Sequence, residues 1–332
     1  MLRALLFCCA LLLAAQGQTA VTLKIATLVP DGTGWMKTMR AAGKEIQART
    51  QERVKLRFYP GGVMGNDNSV LRKIRAGQLH GGALTAGGLS ALYPDIQIYS
   101  LPFLFQSLDE VDYVRKRMDS KIIQGLKEKG FACYGLNEGG FVYVMSQAPI
   151  SSVDHLKKRK VWAPEGDPLS QIAFNSLGVT PIPLPLTDVL TGLQTGLIDT
   201  IGAAPVAAIA LQWHTRINYL TDAPIMYLYG ALVLRERALK KLSSADRQIL
   251  REVMEKTIRE ISAQTRRGNQ SALQALKKQD ITFVSPSSRE LAEWKQIFKQ
   301  SVDEMARKQA FSPALYNEIR AQLTDYRTQQ GK

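Results

Sequence analysis

The sequence predicts an α/β protein of two lobes, and three observations carry that expectation. At 332 residues the chain is longer than one compact core usually holds. Residues 152–205 contain two strand–helix units in close succession, which is how an α/β lobe is written. A capped helical pattern then runs from Ser243 to about Lys278. At ~1.5 Å per residue it reaches about 50 Å, wider than one small domain, so it spans both lobes or bends.

The N-terminus sets the compartment. Arg3 supplies one positive charge, residues 4–15 are an almost unbroken apolar run, and Ala15-Gln16-Gly17 offers small residues for cleavage. This is the pattern of a secretory signal peptide, assigned to residues 1–20 with cleavage after Gly17 or Ala20. Phe7 before Cys8 argues against a lipoprotein signal, which needs a small residue there. Cys8 and Cys9 leave with the leader, so Cys133 has no intramolecular partner and reads as a small buried hydrophobe. An exported chain without a disulfide points to the bacterial periplasm. No later stretch is long and apolar enough to span a bilayer, so the mature chain is expected to be soluble.

Hydrophobic residues make up 45% of the chain and charged residues 22%, ordinary for a folded domain. The formal charge is +14, but the basic residues are scattered as Arg72/Lys73/Arg75, Arg115/Lys116/Arg117, Lys157 to Lys160, Lys240/Lys241 and Arg266/Arg267. They do not interleave with aromatics, and export also argues against a nucleic-acid partner. Most read as solvated faces, with attraction to an anionic membrane surface as the weaker functional alternative.

The first lobe starts with an alternating strand at Thr22–Ala26 and a helix carrying Trp35, Met39 and Ile46 on one face. Gly32-x-Gly34 lacks the third glycine and the downstream acid of a dinucleotide site. A strand at Val54–Tyr59, a turn-rich loop and a helix from Asn68 to Arg75 follow, closed by Gly77. Next come a strand at Leu79–Thr85, a helix starting at Ala86, an extended segment over Ile96–Phe105 and a long helix over Asp109–Lys129. Strands at Phe131–Leu136 and Phe141–Ser146 are separated by a break at Asn137–Gly140, the second crossing into the other lobe. That lobe reads as a strand at Lys160–Pro164, a helix at Asp167–Leu177, a strand at Val179–Leu186 and a helix ending on Gly196. Val206–His214 is a small apolar helix, Tyr219–Pro224 and Ile225–Leu234 are extended, and a short strand at Ile281–Val284 precedes helices at Arg289–Arg307 and Ala314–Arg327.

Five ordered motifs stand out: Gly61-Gly62-Val63-Met64-Gly65-Asn66, Leu101-Pro102-Phe103-Leu104-Phe105, Leu156-Lys157-Lys158-Arg159-Lys160-Val161-x-Ala163-Pro164, Leu177-Gly178-Val179-Thr180-Pro181-Ile182-Pro183 and Leu193-Gln194-Thr195-Gly196-Leu197-Ile198-Asp199. With the leader, they make the whole mature chain resemble the DctP-type solute-binding proteins of tripartite ATP-independent periplasmic (TRAP) transporters. The resemblance implies two lobes around a hinged cleft, a long helix spanning both, and delivery of a small solute, usually an organic acid, to a membrane permease. It implies no cofactor, and the chain is expected to act as a monomer. Lobe I is assigned to residues 21–140 plus about 230–268, and lobe II to residues 141–229 plus about 269–332.

The family's carboxylate-binding pattern is not retained. An arginine stands two residues before the proline of the Lys-x-Arg-x-Pro strand in the family, where its planar fork binds a carboxylate bidentately. Trp162 stands there in this chain. The basic position after Gly-Phe of the crossing strand is Val142, following Phe141, and the expected asparagine falls on Ala203 or Ala204. These departures suggest an apolar or aromatic solute against Trp162, with Trp35 and Trp213 near the cleft. An indole face also accepts a cation, which Asp67 or Glu138 would assist. The alternatives are an organic acid held by a relocated basic residue such as Arg216 or Arg235, a lipid shuttle not coupled to TRAP uptake, and Trp162 as plain core. An enzyme is not expected. His80, His155 and His214 have no metal-ligand spacing, and no nucleophile pairs with a base.

Overall fold

The computed structural model describes residues 20–331, so the expected signal peptide lies outside the described residues but for Ala20. No helix among them is long and apolar enough to cross a membrane. The opening unit is β1 (Val21–Thr27), α1 (Gly34–Arg49) and β2 (Val54–Tyr59), with β1 and β2 parallel. Thr33 caps α1 by accepting from the Met36 N–H, and Met36, Met39, Ala42 and Ile46 form its buried face. α2 (Asp67–Arg75), capped by Asn66, leads to β3 (Gly81–Thr85) and the one-turn α3 (Ala86–Leu89). Residues 94–100 wind as a 3-10 helix where extended chain was expected. Pro94 in the first turn holds a helical φ, and the coil buries Ile96, Ile98 and Tyr99 together.

After α4 (Leu108–Glu128), β4 (Phe131–Ser146) is one continuous strand of 16 residues, not two strands with a break. The extra residues are absorbed as register shifts against β9 (Met226–Arg235), between Cys133 and Leu136 and between Glu138 and Gly140. Gly135 at φ 147° and Gly140 at φ 98° supply the backbone the bulges require. Cys133 is buried beside the first bulge, donating to the Gly135 carbonyl at 3.2 Å, and burial pushes its thiol up to about 12.

The chain continues through α5 (Val153–Leu156), β5 (Trp162–Pro164), α6 (Pro168–Ser176), β6 (Ile182–Leu184), α7 (Val189–Thr195), β7 (Thr200–Ala203), α8 (Pro205–Ala210) and β8 (Tyr219–Thr221), the stretch expected to form lobe II. β9 returns to lobe I, followed by α9 (Glu236–Leu239), α10 (Ser244–Lys277), β10 (Thr282–Val284), α11 (Ser288–Arg307) and α12 (Pro313–Gln330). One eight-stranded sheet runs through both lobes in the order β10-β8-β4-β9-β3-β1-β2, with β7 also on β4. β5 and β6 pair separately, joined to β7 by a bridge between Val161 and Thr200.

α10 lies along one side of this sheet. Its first half buries Leu250, Val253, Met254 and Ile261 in a lobe I core, and its end buries Leu276 in a lobe II core. Between them the apolar stripe gives way to Gln264, Arg266 and Asn269, at the junction of the lobes.

At the opposite end of lobe I, the Lys24 N–H donates to His80 Nδ1 at 2.9 Å, a bond only the unprotonated nitrogen accepts. Burial, with Lys24 and Lys241 nearby, holds the His80 pKa below its ordinary 6.5. The unfolded imidazole therefore takes up a proton before the folded one. This contribution to stability is complete above 6.5 and is lost as pH falls toward the folded value. Thermal unfolding of the wild type and His80→Gln between about pH 5 and 8 should show a shallower acid-side loss in the variant.

Candidate solute cleft

The loops that follow β2, β3, β5 and β6 meet between the lobes. Asn66 Nδ2 donates to Glu165 at 2.7 Å, and Gln97 Nε2 donates to Asp167 Oδ1 at 2.9 Å. A Cβ on Gly62 would lie 2.8 Å from Thr187 Cγ2, so glycine is what lets these loops touch. Asp167 has a second task, capping α6 by accepting from the Leu169 and Ser170 N–H groups. Neither cross-lobe pair was anticipated from sequence, since an asparagine and a glutamate 99 positions apart carry no shared local signal.

Trp162 opens β5 and is only 5% exposed. Its indole Nε1–H donates to the Leu184 carbonyl at 3.0 Å on the adjoining β6, and its ring meets Trp213 edge to face with centroids 5.3 Å apart. Ala203 belongs to the same apolar cluster, with Met145, Leu193 and Ala208. Ala204 follows as the N-cap residue of α8 and has no side-chain acceptor with which to cap it. The structure thus gathers Trp162, Trp213 and Ala203 into one group.

Other expected residues fall elsewhere. Phe141 packs on Tyr227 with centroids 5.7 Å apart. Val142 is buried in a different core with Leu169 and Ala173, on the opposite face of β4 from Met145 and the Trp162 cluster. Trp35 is half-buried against the lobe I core shared by α1 and α10. Glu138 is held by Arg266 and Arg115, so its carboxylate is already paired. The two arginines considered as relocated clamps lie at the far ends of the sheet. Arg235 stacks over Phe131 beside the start of β4. The Arg216 carbonyl receives Gln147 Nε2, next to Asp199 at the entry to β7.

Asp67 sits at the start of α2 between two residues that face lobe II, Asn66 and Asn68. Its Oδ2 accepts from the Thr85 N–H at 3.1 Å and the Thr85 hydroxyl at 2.6 Å, whereas its buried Oδ1 has no partner. Burial raises its pKa above 3.8, with the Thr85 bonds opposing that rise. A Cβ on Gly88 would collide with this carboxyl, which explains the glycine. Among the described residues, no group of three or more His, Cys, Asp and Glu is arranged to hold a metal ion.

Two α/β lobes, a continuous crossing strand, a helix along both and loops meeting across a cleft define the class of a hinged solute-binding protein. The profile of bacterial extracellular solute-binding protein family 7 (DctP) matches residues 25–309, and the chain belongs to that family. The 2,3-diketo-L-gulonate-binding periplasmic protein YiaO of Escherichia coli is 30% identical over 159 residues, 46% of this chain and 47% of that protein. The C4-dicarboxylate-binding periplasmic protein DctP of Rhodobacter capsulatus is 23% identical over 288 residues, covering 85% and 84%. The sugar acid binding protein of Advenella mimigardefordensis in complex with galactonate superposes with a TM-score of 0.85 at 18% identity, covering 92% of this chain and 99% of that one.

Two substitutions test the site's internal bonding. Trp162→Ala should cost about 3–5 kcal/mol through the cavity it leaves, and Trp162→Phe about 1–3 kcal/mol by orphaning the Leu184 carbonyl. Denaturant unfolding measures both, and near-UV circular dichroism should lose the signal of the paired indoles. For Asp67 the linkage runs the other way from His80. A raised carboxyl makes stability fall as pH rises from 3.8 through the folded pKa. Asp67→Asn should therefore unfold no lower than the wild type at neutral pH and lose that decline.

Proposed function

We propose that this solute-binding protein captures, by closure of its lobes, a small apolar or aromatic solute that is not a simple carboxylate, and delivers it to a TRAP-type permease. The lobe boundaries are taken as residues 21–140 plus about 230–268 and residues 141–229 plus about 269–332. Membership of the family, with a relative named as periplasmic, and the signal pattern over residues 1–20 support a periplasmic location for the mature chain.

What carries this reading is Trp162, at the strand position where the resemblance leads us to expect a carboxylate-binding arginine. The indole brings a ring and spends its N–H on Leu184, so it offers a buried carboxylate no charge and no free donor. Alanine in place of the expected asparagine, at Ala203 or Ala204, removes a further donor. A second reading, an organic acid, draws support from relatives named for C4-dicarboxylate and galactonate. It requires a cation in the cleft, and neither Arg216 nor Arg235 lies there.

Mass spectrometry of the solute released from the purified protein should find a neutral or apolar molecule. Calorimetric titration with succinate and with galactonate should give no binding tighter than about 1 mM. A micromolar Kd for either acid would overturn the proposal in favour of the second reading.

A further inference from the structure

α8 begins without a cap of its own. Its N-cap residue is Ala204, whose methyl group accepts nothing, and Pro205 in the first turn contributes no N–H. The next N–H, that of Val206, donates instead to Asn269 Oδ1 at 3.1 Å, an acceptor supplied from the middle of α10. The other end of the same amide is also engaged: Asn269 Nδ2 donates to the Gly139 carbonyl at 3.0 Å. Gly139 lies inside the bulge where β4 passes from one lobe to the other. The neighbouring Gly140, at φ 98°, would drive a Cβ into Asn269 Nδ2, so the strand is shaped to receive this side chain. One turn earlier on α10, Arg266 grips Glu138 on the other side of the bulge.

We propose that Asn269 is a positioning residue that ties the lobe-crossing strand to the N-terminus of α8, holding the Ala203–Pro205 turn and setting how far the cleft opens. A helix cap alone would need only the oxygen. Here one planar amide joins the hinge strand to the segment that follows β7, and α10 supplies both bonds from the stretch where its apolar stripe is interrupted. Relative movement of strand and α8 has to break or lengthen one of the two bonds. The inference holds for any solute.

The two bonds separate by substitution. Asn269→Asp keeps an oxygen for Val206 and favours a helix N-terminus electrostatically, but loses the donor to Gly139. Asn269→Ala loses both. Spin labels at Gln78→Cys and Lys158→Cys, exposed residues of lobes I and II, report the interlobe distance, while Cys133 is buried and stays unlabelled. Asn269→Asp should unfold within a few degrees of the wild type yet give a broader interlobe distance distribution, shifted by several ångströms. Asn269→Ala should show that shift together with a lower Tm. A wild-type distribution in Asn269→Asp would overturn the proposal, leaving Asn269 as a helix cap only. A shifted distribution stands whether or not the cleft later proves to hold an acid.

Discussion

Much of this architecture hangs on the burial of one carboxylate. The Glu138 side chain is 2% exposed, in the middle of the strand that joins the lobes. An unpaired charge there would cost several kcal/mol, so the fold has to bring partners to it. Arg266 arrives from α10, with Nε 2.7 Å from the carboxylate, and carries Asp112 of α4 on its other edge. Arg115 arrives from α4, bonded also to Asp119, the Tyr227 hydroxyl and the Leu136 carbonyl. Two helices distant in sequence are thereby registered against one bulge. Apolar packing alone would leave α10 free to slide along its own axis; a forked guanidinium on a fixed carboxylate does not.

The Trp162 cluster shows the opposite economy. Where an arginine would leave its charge to be satisfied by a solute, Trp162 is satisfied within lobe II, by the Leu184 carbonyl and the edge of Trp213. Its lobe II surroundings are the apolar side chains of Met145, Leu193, Ile201 and Ala203. Asp67 is the unmatched group, with one oxygen bound by Thr85 and the other buried without a partner.

How much of this was legible in the sequence depends on the range of the interaction. α10 was readable because Ser243 caps it and its apolar residues recur with helical period, both local signals. The same holds for α4, amphipathic over Asp109–Lys129 and closed by Gly130; the structure adds Ser107 as its cap. The break expected at Asn137–Gly140 was a fair inference from two glycines and an asparagine, and it failed because those residues form a bulge within a paired strand. The ladder with β9 carries the strand through this segment, where Glu138 also meets Arg266, 128 positions away, and no local pattern contains either pairing. The candidate cleft was reached only by position. Family spacing pointed to Trp162, but that its N–H is spent on Leu184 and that Val142 faces another core depend on tertiary packing.

The contacts that close the mouth are too weak to hold it shut alone. They are side-chain hydrogen bonds to carboxylates, Asn66 to Glu165 at the exposed rim and the buried Gln97 to Asp167, each worth about 1.5–3 kcal/mol. Glycines at Gly62, Gly87 and Gly166 let the loops approach without adding apolar area to the interface. An interface of that kind permits relative motion of the lobes, whereas a broad apolar one would lock them. A solute buried between the lobes contacts both only in the closed arrangement, so its binding energy biases the equilibrium. The strongest pairing sits behind the cleft, where Arg266 grips Glu138 of the crossing strand, with Asn269 bonded to Gly139 beside it. Rigidity at the hinge and weakness at the lips together leave the closed population to be set by what the cleft contains.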